Sequence, residues 1–258
     1  MKKGFTRIRV LVDRSGSMKR IAAATVSGIN EFITAQKAQP GDAELDVIQF
    51  DEDGGKLTYE TILKGNLKSI ATITDEQFDP RGMTPLHDAM GRTINELGAE
   101  LAALPESERP EKVIVTFVTD GLENASKEFK ADQIKAMVEH QTSKYNWSFS
   151  YVGANQDAVL VGQELGFSPL RCMSFTSDSV HTKSAFSAVA AYASSVRSAD
   201  LHDVQKMGYT DADRASSLDE NDPVAQGVSS NNATKIPFVP KSRGPIKTGI
   251  PFVPKDNQ

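Results

Sequence analysis

The chain has 258 residues, of which 39% are apolar and 24% are charged, a composition typical of a globular protein. No apolar run approaches the roughly 18–20 residues that span a bilayer, so we expect no membrane segment. Arg7 and Arg9 interrupt the apolar stretch that a signal peptide would need. The single cysteine, Cys172, has no partner for an internal disulfide, and we therefore expect a cytoplasmic protein.

The formal net charge of −5 is unevenly distributed along the chain. Residues 235–258 contain five basic residues and one acidic residue, so the rest of the chain is strongly acidic. Because contacts to nucleic-acid phosphates need clustered Lys and Arg, the acidic body argues against nucleic-acid binding by a folded domain. The basic tail leaves that question open.

Segments of strand and helix character alternate from residue 5 to about residue 198. Apolar side chains at helical spacing indicate the helices, and short apolar or alternating runs indicate the strands. In chain order, the sequence predicts a strand at 5–12, a helix at 17–37, strands at 45–50 and 57–63, a helix from Pro85 to near Pro105, a strand at 113–118, a helix at about 127–141, a strand at 147–152, a short helix ending at Gly166, a strand at 171–175 and a helix at 182–197.

The order of these elements predicts the fold class. Strands separated by single helices favour a mostly parallel sheet. Asp53-Gly54-Gly55 lies between two strands and is typical of a hairpin turn, which places one antiparallel strand at an edge. We therefore predict an α/β, doubly wound fold with a mostly parallel six-stranded sheet, one antiparallel edge strand and helices on both faces.

The periodic pattern ends near residue 198. Residues 1–198 are predicted to be the folded domain, and residues 199–235, rich in Asp, Ser, Asn and Gly, a flexible polar linker. The basic tail, residues 236–258, contains Ile-Pro-Phe-Val-Pro-Lys twice, beginning at Ile236 and Ile250. Two prolines in each copy favour an extended conformation. The copies are interpreted as peptides that recruit a second protein, as a segment that folds back onto the acidic body, or as a disordered basic tail duplicated without a role.

Oxygen-bearing side chains occur at three points that the predicted topology brings together. They are Asp13, Ser15, Ser17, Thr84 and Asp120. Since the carboxyl ends of parallel strands share one edge of a sheet, where open α/β folds bind ligands, we expect these side chains to meet. Oxygen donors suit a hard cation such as Mg²⁺, with Mn²⁺ and Ca²⁺ as alternatives. A simpler interpretation makes the serines and Thr84 helix caps, and Asp120-Gly121 a turn.

The ordered set Asp13-x-Ser15-x-Ser17, Thr84 and Asp120 resembles the metal-ion-dependent adhesion site of von Willebrand factor A domains. Residues 82–89 and 119–126 are similar to segments of cytosolic bacterial and phage members, and the resemblance covers roughly residues 5–198. It implies that the three hydroxyls bind Mg²⁺ and that the two aspartates approach the ion directly or through water. A coordination position then stays open for an Asp or Glu of a partner protein.

The resemblance implies a Mg²⁺-dependent protein-binding module rather than an enzyme, located in the cytoplasm of a bacterium or a phage-infected host. Because cytosolic members often work with AAA+ ATPases, we expect a partner of that kind or another assembly component. The main alternative is Mg²⁺-dependent phosphoryl transfer of the haloacid-dehalogenase type, which needs a second carboxylate where this chain has Ser15. His87 is the only candidate general base near the site. His87, Asp88, Glu123 and Asn124 are expected to support the loops.

Overall fold

The computed structural model describes residues 1–230, and it describes side chains as far as residue 226. The two Ile-Pro-Phe-Val-Pro-Lys copies and the end of the predicted linker lie outside the described residues. The predictions made for them therefore stay predictions.

Six strands form one sheet. They are β1 (Lys2–Asp13), β2 (Asp42–Asp53), β3 (Lys56–Asn66), β4 (Pro110–Thr119), β5 (Ser148–Ala154) and β6 (Cys172–Phe175). Their order is β3-β2-β1-β4-β5-β6, and every neighbouring pair is parallel except β2 and β3. The hairpin at Gly54 and Gly55 makes β3 the antiparallel edge strand. The predicted sheet is therefore confirmed, including the place of its one antiparallel strand.

Helices cover both faces of this sheet. The helices of residues 1–230 are α1 (Ala22–Lys37), α2 (Leu86–Ala103), α3 (Ala131–Tyr145), α4 (Ala158–Glu164), α5 (Ser179–Ser198), α6 (Asp211–Ser216) and α7 (Pro223–Ser230). Side chains of a strand alternate between faces, so Val10 of β1 packs with α1 and α5, whereas Leu11 packs with α2 and α3. The predicted doubly wound fold is thus confirmed. Within residues 1–230, no helix is both long and apolar enough to cross a membrane.

Residues 199–222, which we call the C-terminal extension, pack on the domain instead of forming the flexible linker that their composition predicts. Val204, Tyr209 and Ser217 are buried in this segment. The guanidinium of Arg214 donates hydrogen bonds of 3.1 Å to the carbonyl oxygens of Pro169 and Leu170. The extension is anchored by a few isolated side chains, and isolated contacts leave no periodic pattern in the sequence. The folded part therefore continues past residue 198.

Candidate metal centre

Three loops meet at the carboxyl edge of the sheet. Asp13 ends β1 and Asp120 directly follows the parallel neighbour β4, which places both carboxyl groups at the same edge. Both residues are buried, with 0% and 3% of their surface exposed. The third loop precedes α2 and carries Thr84, which is also buried. Ser17 is exposed, so solvent reaches the group of side chains from this position.

Short contacts link the aspartates to the serines. The Ser17 hydroxyl donates a hydrogen bond of 2.5 Å to Oδ1 of Asp120, and its oxygen lies 3.1 Å from the Ser15 hydroxyl oxygen. The backbone N–H of Ser15 donates to Oδ1 of Asp13 at 2.7 Å. These contacts connect the loop that follows β1 with the loop that follows β4.

Thr84 borders the same space. A β-carbon built on Gly121 would lie 3.4 Å from Oγ1 of Thr84 and 3.8 Å from Oγ of Ser17. Both hydroxyl oxygens therefore lie close to one point beside Asp120. The structure brings together all five side chains that the sequence singled out.

Helix capping does not account for these hydroxyls. Ser15 precedes the 3₁₀ turn Gly16–Ile21, but its side chain makes no capping hydrogen bond within the described residues. Pro85, not Thr84, occupies the capping position of α2, and no side chain caps that helix end in the part of the chain described. The hydroxyls of Ser15 and Thr84 are thus available to a ligand.

The chemistry of the donors fits a divalent cation. Oδ2 of Asp120 is buried and has no hydrogen-bond partner among the described residues. A buried carboxylate oxygen without a donor is costly, and a cation beside it would remove that cost. Three hydroxyls and two carboxyl groups form the all-oxygen set that Mg²⁺ prefers. The residues present therefore fit such an ion.

Burial also changes the acidity of both aspartates. It raises the pKa of Asp13 to about 7, although hydrogen bonds from Thr119 and Ser15 lower it in part. Burial raises the pKa of Asp120 as well, against hydrogen bonding by Ser17 and the nearby charge of Arg20. Since a cation competes with protons for such carboxyl groups, metal binding here should depend on pH.

Thr119 is a site residue that the sequence analysis did not identify. Its hydroxyl donates a hydrogen bond of 2.6 Å to Oδ2 of Asp13. With the Ser15 N–H on Oδ1, both oxygens of Asp13 are engaged by the protein. Its signal in the sequence was the position directly before Asp120, at the end of a buried strand.

A buried ion network fixes the loop that carries Ser15 against the loop that carries Thr84. The carboxylate of Asp51, fully buried on β2, accepts a hydrogen bond of 2.7 Å from Arg14 and one of 2.9 Å from Arg81. The backbone N–H of Arg81 also donates to the carbonyl oxygen of Arg14 at 2.7 Å. No motif spacing reveals this network, because it links residues from three separate elements.

The residues expected to support the loops do so. Oδ1 of Asn124 accepts a hydrogen bond of 2.9 Å from the backbone N–H of Thr84, and the N–H of Asn124 donates back to the Thr84 carbonyl oxygen. Glu123 accepts the backbone N–H of His87 at 2.9 Å. The carboxylate of Asp88 accepts three backbone N–H groups of the loop after β4, those of Lys127, Glu128 and Phe129.

Gly82 permits a close approach of two backbones beside the site. Its φ is +66°, and a β-carbon there would lie 1.9 Å from the carbonyl oxygen of Glu52. The carbonyl oxygen of Gly82 accepts the N–H of Gly16 at 3.1 Å, between Ser15 and Ser17. A side chain at this position would displace two of the metal-site loops.

We expect Gly82→Ala to lower the free energy of unfolding by about 2–4 kcal/mol, because strain at positive φ adds to the clash with Glu52. Gly54→Ala is a matched control, since Gly54 also has positive φ, +58°, but nothing lies within 4 Å of a β-carbon there. The control should lose about 1 kcal/mol. Urea unfolding measures both, and equal losses would contradict the role given to the close contact.

No family model matches the sequence, and no curated protein matches it. Solved structures are similar in fold. The pilus adhesin SpaC from Lactobacillus rhamnosus GG, in its open conformation, has a TM-score of 0.52 and 15% identity, over 72% of this chain and 29% of that chain. Proximal thread matrix protein 1 from the mussel byssus, with a zinc-occupied MIDAS motif (the metal-ion-dependent adhesion site), has a TM-score of 0.51 and 16% identity, over 74% of this chain and 46% of that chain.

The chain spans less than half the length of either of these proteins. A von Willebrand factor type A structure from Catenulispora acidiphila is similar at a lower TM-score of 0.46, with 13% identity over 73% of this chain and 42% of that chain. Together with the sheet order and the layers, the likeness to SpaC and to proximal thread matrix protein 1 shows the fold. The chain has the fold of von Willebrand factor A domains.

Proposed function

We propose that this chain is a metal-dependent protein-binding module that holds Mg²⁺ at the carboxyl edge of its sheet. The proposed ligands, direct or through water, are Asp13, Ser15, Ser17, Thr84 and Asp120. The observation that carries the proposal is the buried Oδ2 of Asp120, which has no hydrogen-bond partner within the described residues and lies beside these hydroxyls. Mn²⁺ and Ca²⁺ prefer the same class of donor.

The surroundings of Asp13 favour an ion that keeps a positive charge. Both of its oxygens already accept protein hydrogen bonds, from Ser15 and Thr119, which favours contact with the ion through water. An ion bound directly by neutral hydroxyls and at most one carboxylate is not neutralised. It would attract a carboxylate of a partner, so an Asp or Glu of a protein is the proposed ligand.

Two observations argue against phosphoryl transfer at this site. The position two residues after Asp13, which must carry a general acid in haloacid-dehalogenase-type enzymes, is Ser15. The imidazole of His87, the candidate base, has Nδ1 4.0 Å from Oε2 of Glu123, a residue that supports the loop. We therefore propose binding rather than catalysis for this site.

The wider assembly is proposed from the resemblance and from the sequence of the tail. The resemblance favours a partner that is an AAA+ ATPase or another assembly component. Two identical tail segments on one chain would strengthen attachment to a second, multivalent protein, since the second contact forms at a high effective concentration.

Capture of a partner tests the proposed function. We expect the immobilised chain to retain a partner in Mg²⁺, to release it in EDTA, and to lose it with Thr84→Ala. Thr34→Ala is the matched control, because the exposed Thr34 hydroxyl donates a hydrogen bond to the Asn30 carbonyl oxygen of its own helix. Once the partner is identified, changing one of its carboxylates to the amide should abolish capture. Retention that survives EDTA and Thr84→Ala would contradict the proposal.

A further inference from the structure

Exposed apolar side chains follow the edge of the sheet at which the candidate metal centre lies. Met83 is in the loop before α2, Leu122 is in the loop after β4, and Leu160 and Val180 are in the first turns of the helices that follow β5 and β6. Their exposed fractions lie between 46% and 69%. A concentration of exposed large apolar side chains on one part of a surface is typical of a site that binds another protein segment.

Two of these side chains adjoin the proposed ligands. Met83 directly precedes Thr84, and its carbonyl oxygen accepts the N–H of Glu52 at 3.0 Å, which fixes the backbone of the loop. Leu122 directly follows Gly121, where a β-carbon would lie 3.4 Å from Oγ1 of Thr84. A segment that offers a carboxylate to the ion would therefore find apolar side chains on either side of it.

The C-terminal extension returns the chain to this edge. Thr176 directly follows β6, and its N–H donates to the carbonyl oxygen of Ser217 at 2.9 Å. Its hydroxyl accepts the N–H of Asp219 at 2.9 Å and donates to Oδ2 of Asp222 at 2.8 Å. Residues 231–256 can span at most about 85 Å, whereas three strand spacings, from β6 to β1, amount to about 14 Å. The remaining chain is therefore long enough to reach the metal centre.

The second tail copy combines apolar residues with a carboxylate. Residues 250–255, Ile-Pro-Phe-Val-Pro-Lys, are followed by Asp256, whereas the identical residues 236–241 are followed by Ser242 and Arg243. Only the second copy therefore has an acidic residue next to it in the sequence. That combination matches a surface on which apolar side chains lie beside a cation site.

Charge also favours the tail as the occupant of this edge. The loops at the edge contain 14 acidic and six basic residues, whereas residues 235–258 contain one acidic and five basic residues. Segments of opposite net charge attract each other and meet faster. The loops counted are residues 13–20, 51–55, 79–88, 119–130, 153–158, 175–181 and 217–222.

We propose that the second tail copy docks on the metal centre of its own chain, where the carboxylate of Asp256 binds the ion. This inference rests on the proposed function, and it names the chain's own tail as a ligand of that site. Phe252 and Val253 pack against the exposed Met83 and Leu122. An external protein must then displace the tail, so the tail regulates access to the metal centre.

Calorimetric titration of Mg²⁺ into the full chain tests the docking. A tail at an effective concentration of about 1 mM that binds only the loaded centre, with a Kd of about 0.1 mM, raises the affinity for Mg²⁺ about 10-fold. We expect Asp256→Asn and Phe252→Ala to lose most of that gain. Phe238→Ala is the matched control, because it makes the same change in the copy that lacks the carboxylate. The control should bind Mg²⁺ like wild type.

A second pair of variants tests the apolar surface. Leu122→Ser should weaken Mg²⁺ binding as Phe252→Ala does, and the double variant should bind no more weakly than either, because both changes remove the same contact. Tyr145→Ser is the control, since Tyr145 is as exposed as Leu122, 62% against 60%, but ends α3 at the opposite edge. Independent losses that add in the double variant would contradict the proposed contact.

Three outcomes would overturn the inference. A wild-type affinity for Mg²⁺ in both Asp256→Asn and Phe252→Ala would exclude docking of the tail and would leave the proposed metal centre intact. Sedimentation velocity should show the same association state in EDTA and in Mg²⁺, and dimers formed only in Mg²⁺ would contradict docking within one chain. A wild-type chain that binds no Mg²⁺ would overturn the proposed function, and the inference with it.

Discussion

Saturating Mg²⁺ should raise the melting temperature of the wild-type chain by about 5–10 °C and should leave that of Asp120→Asn unchanged. An ion present at 100 times its dissociation constant adds about 2.7 kcal/mol to the folded state. For a domain of this size, each kcal/mol raises the melting temperature by roughly 2–4 °C. The amide of the variant keeps the acceptor for Ser17 but lacks the charge that holds the cation.

Without metal, the wild-type chain should have a melting temperature equal to or lower than that of Asp120→Asn. Asp120→Asn removes a buried carboxylate whose Oδ2 has no partner among the described residues, so the variant in EDTA should be at least as stable as wild type. Asp42→Asn is the control, since Asp42 pairs with Lys68 on the surface. Thermal unfolding in EDTA and then in Mg²⁺ measures the melting temperatures of wild type and both variants. A full Mg²⁺ shift in Asp120→Asn would count against the site.

The metal-free chain should lose stability as the pH rises from 5 to 7, and Asp13→Asn should remove most of that loss. The pKa of Asp13 is about 7 in the folded chain, whereas an unfolded Asp has a pKa near 3.9. Between these values the folded state binds a proton that the unfolded state has released. Stability contributed by that proton is complete below the lower pKa and falls by up to about 4 kcal/mol as the pH reaches 7.

Mg²⁺ should reverse this dependence. The ion displaces the proton, so its affinity should rise with pH until the carboxyl groups are ionised and change little above pH 7. Urea unfolding at pH 5, 6, 7 and 8, in EDTA and in Mg²⁺, measures both effects. When the free energies of unfolding of wild type and Asp13→Asn are subtracted at each pH, the contributions of titrating groups common to both proteins cancel. Parallel pH profiles for the two proteins would contradict the buried, titrating Asp13.

The sheet was predictable because its signals are local. Each strand is a short apolar run, the Gly54-Gly55 turn marks the hairpin, and single helices between strands imply parallel neighbours. The proximity of two of the five candidate ligands was predictable for a related reason. Asp13 and Asp120 stand at strand ends, so the topology alone brings them to one edge.

The features that the sequence does not predict depend on contacts between residues that are far apart in the chain. Asp51 joins Arg14 to Arg81, and Thr176 joins β6 to the C-terminal extension, without any repeated spacing in the sequence. The polar composition of the extension predicts a flexible linker, yet a few buried side chains such as Tyr209 suffice to anchor it.

Diffraction from crystals soaked in Mn²⁺, recorded to locate the anomalous signal of the ion, shows whether the proposed metal centre binds a cation. We expect one ion beside the hydroxyls of Ser15, Ser17 and Thr84. When Mg²⁺ takes its place, its oxygen ligands should lie at about 2.1 Å from the ion. Within the described residues, one cluster of three acidic, His or Cys side chains could hold an ion by itself, and it consists of Asp200, His202 and Asp203. Manganese bound there alone, with no ion beside Thr84, would rule out the proposed metal centre.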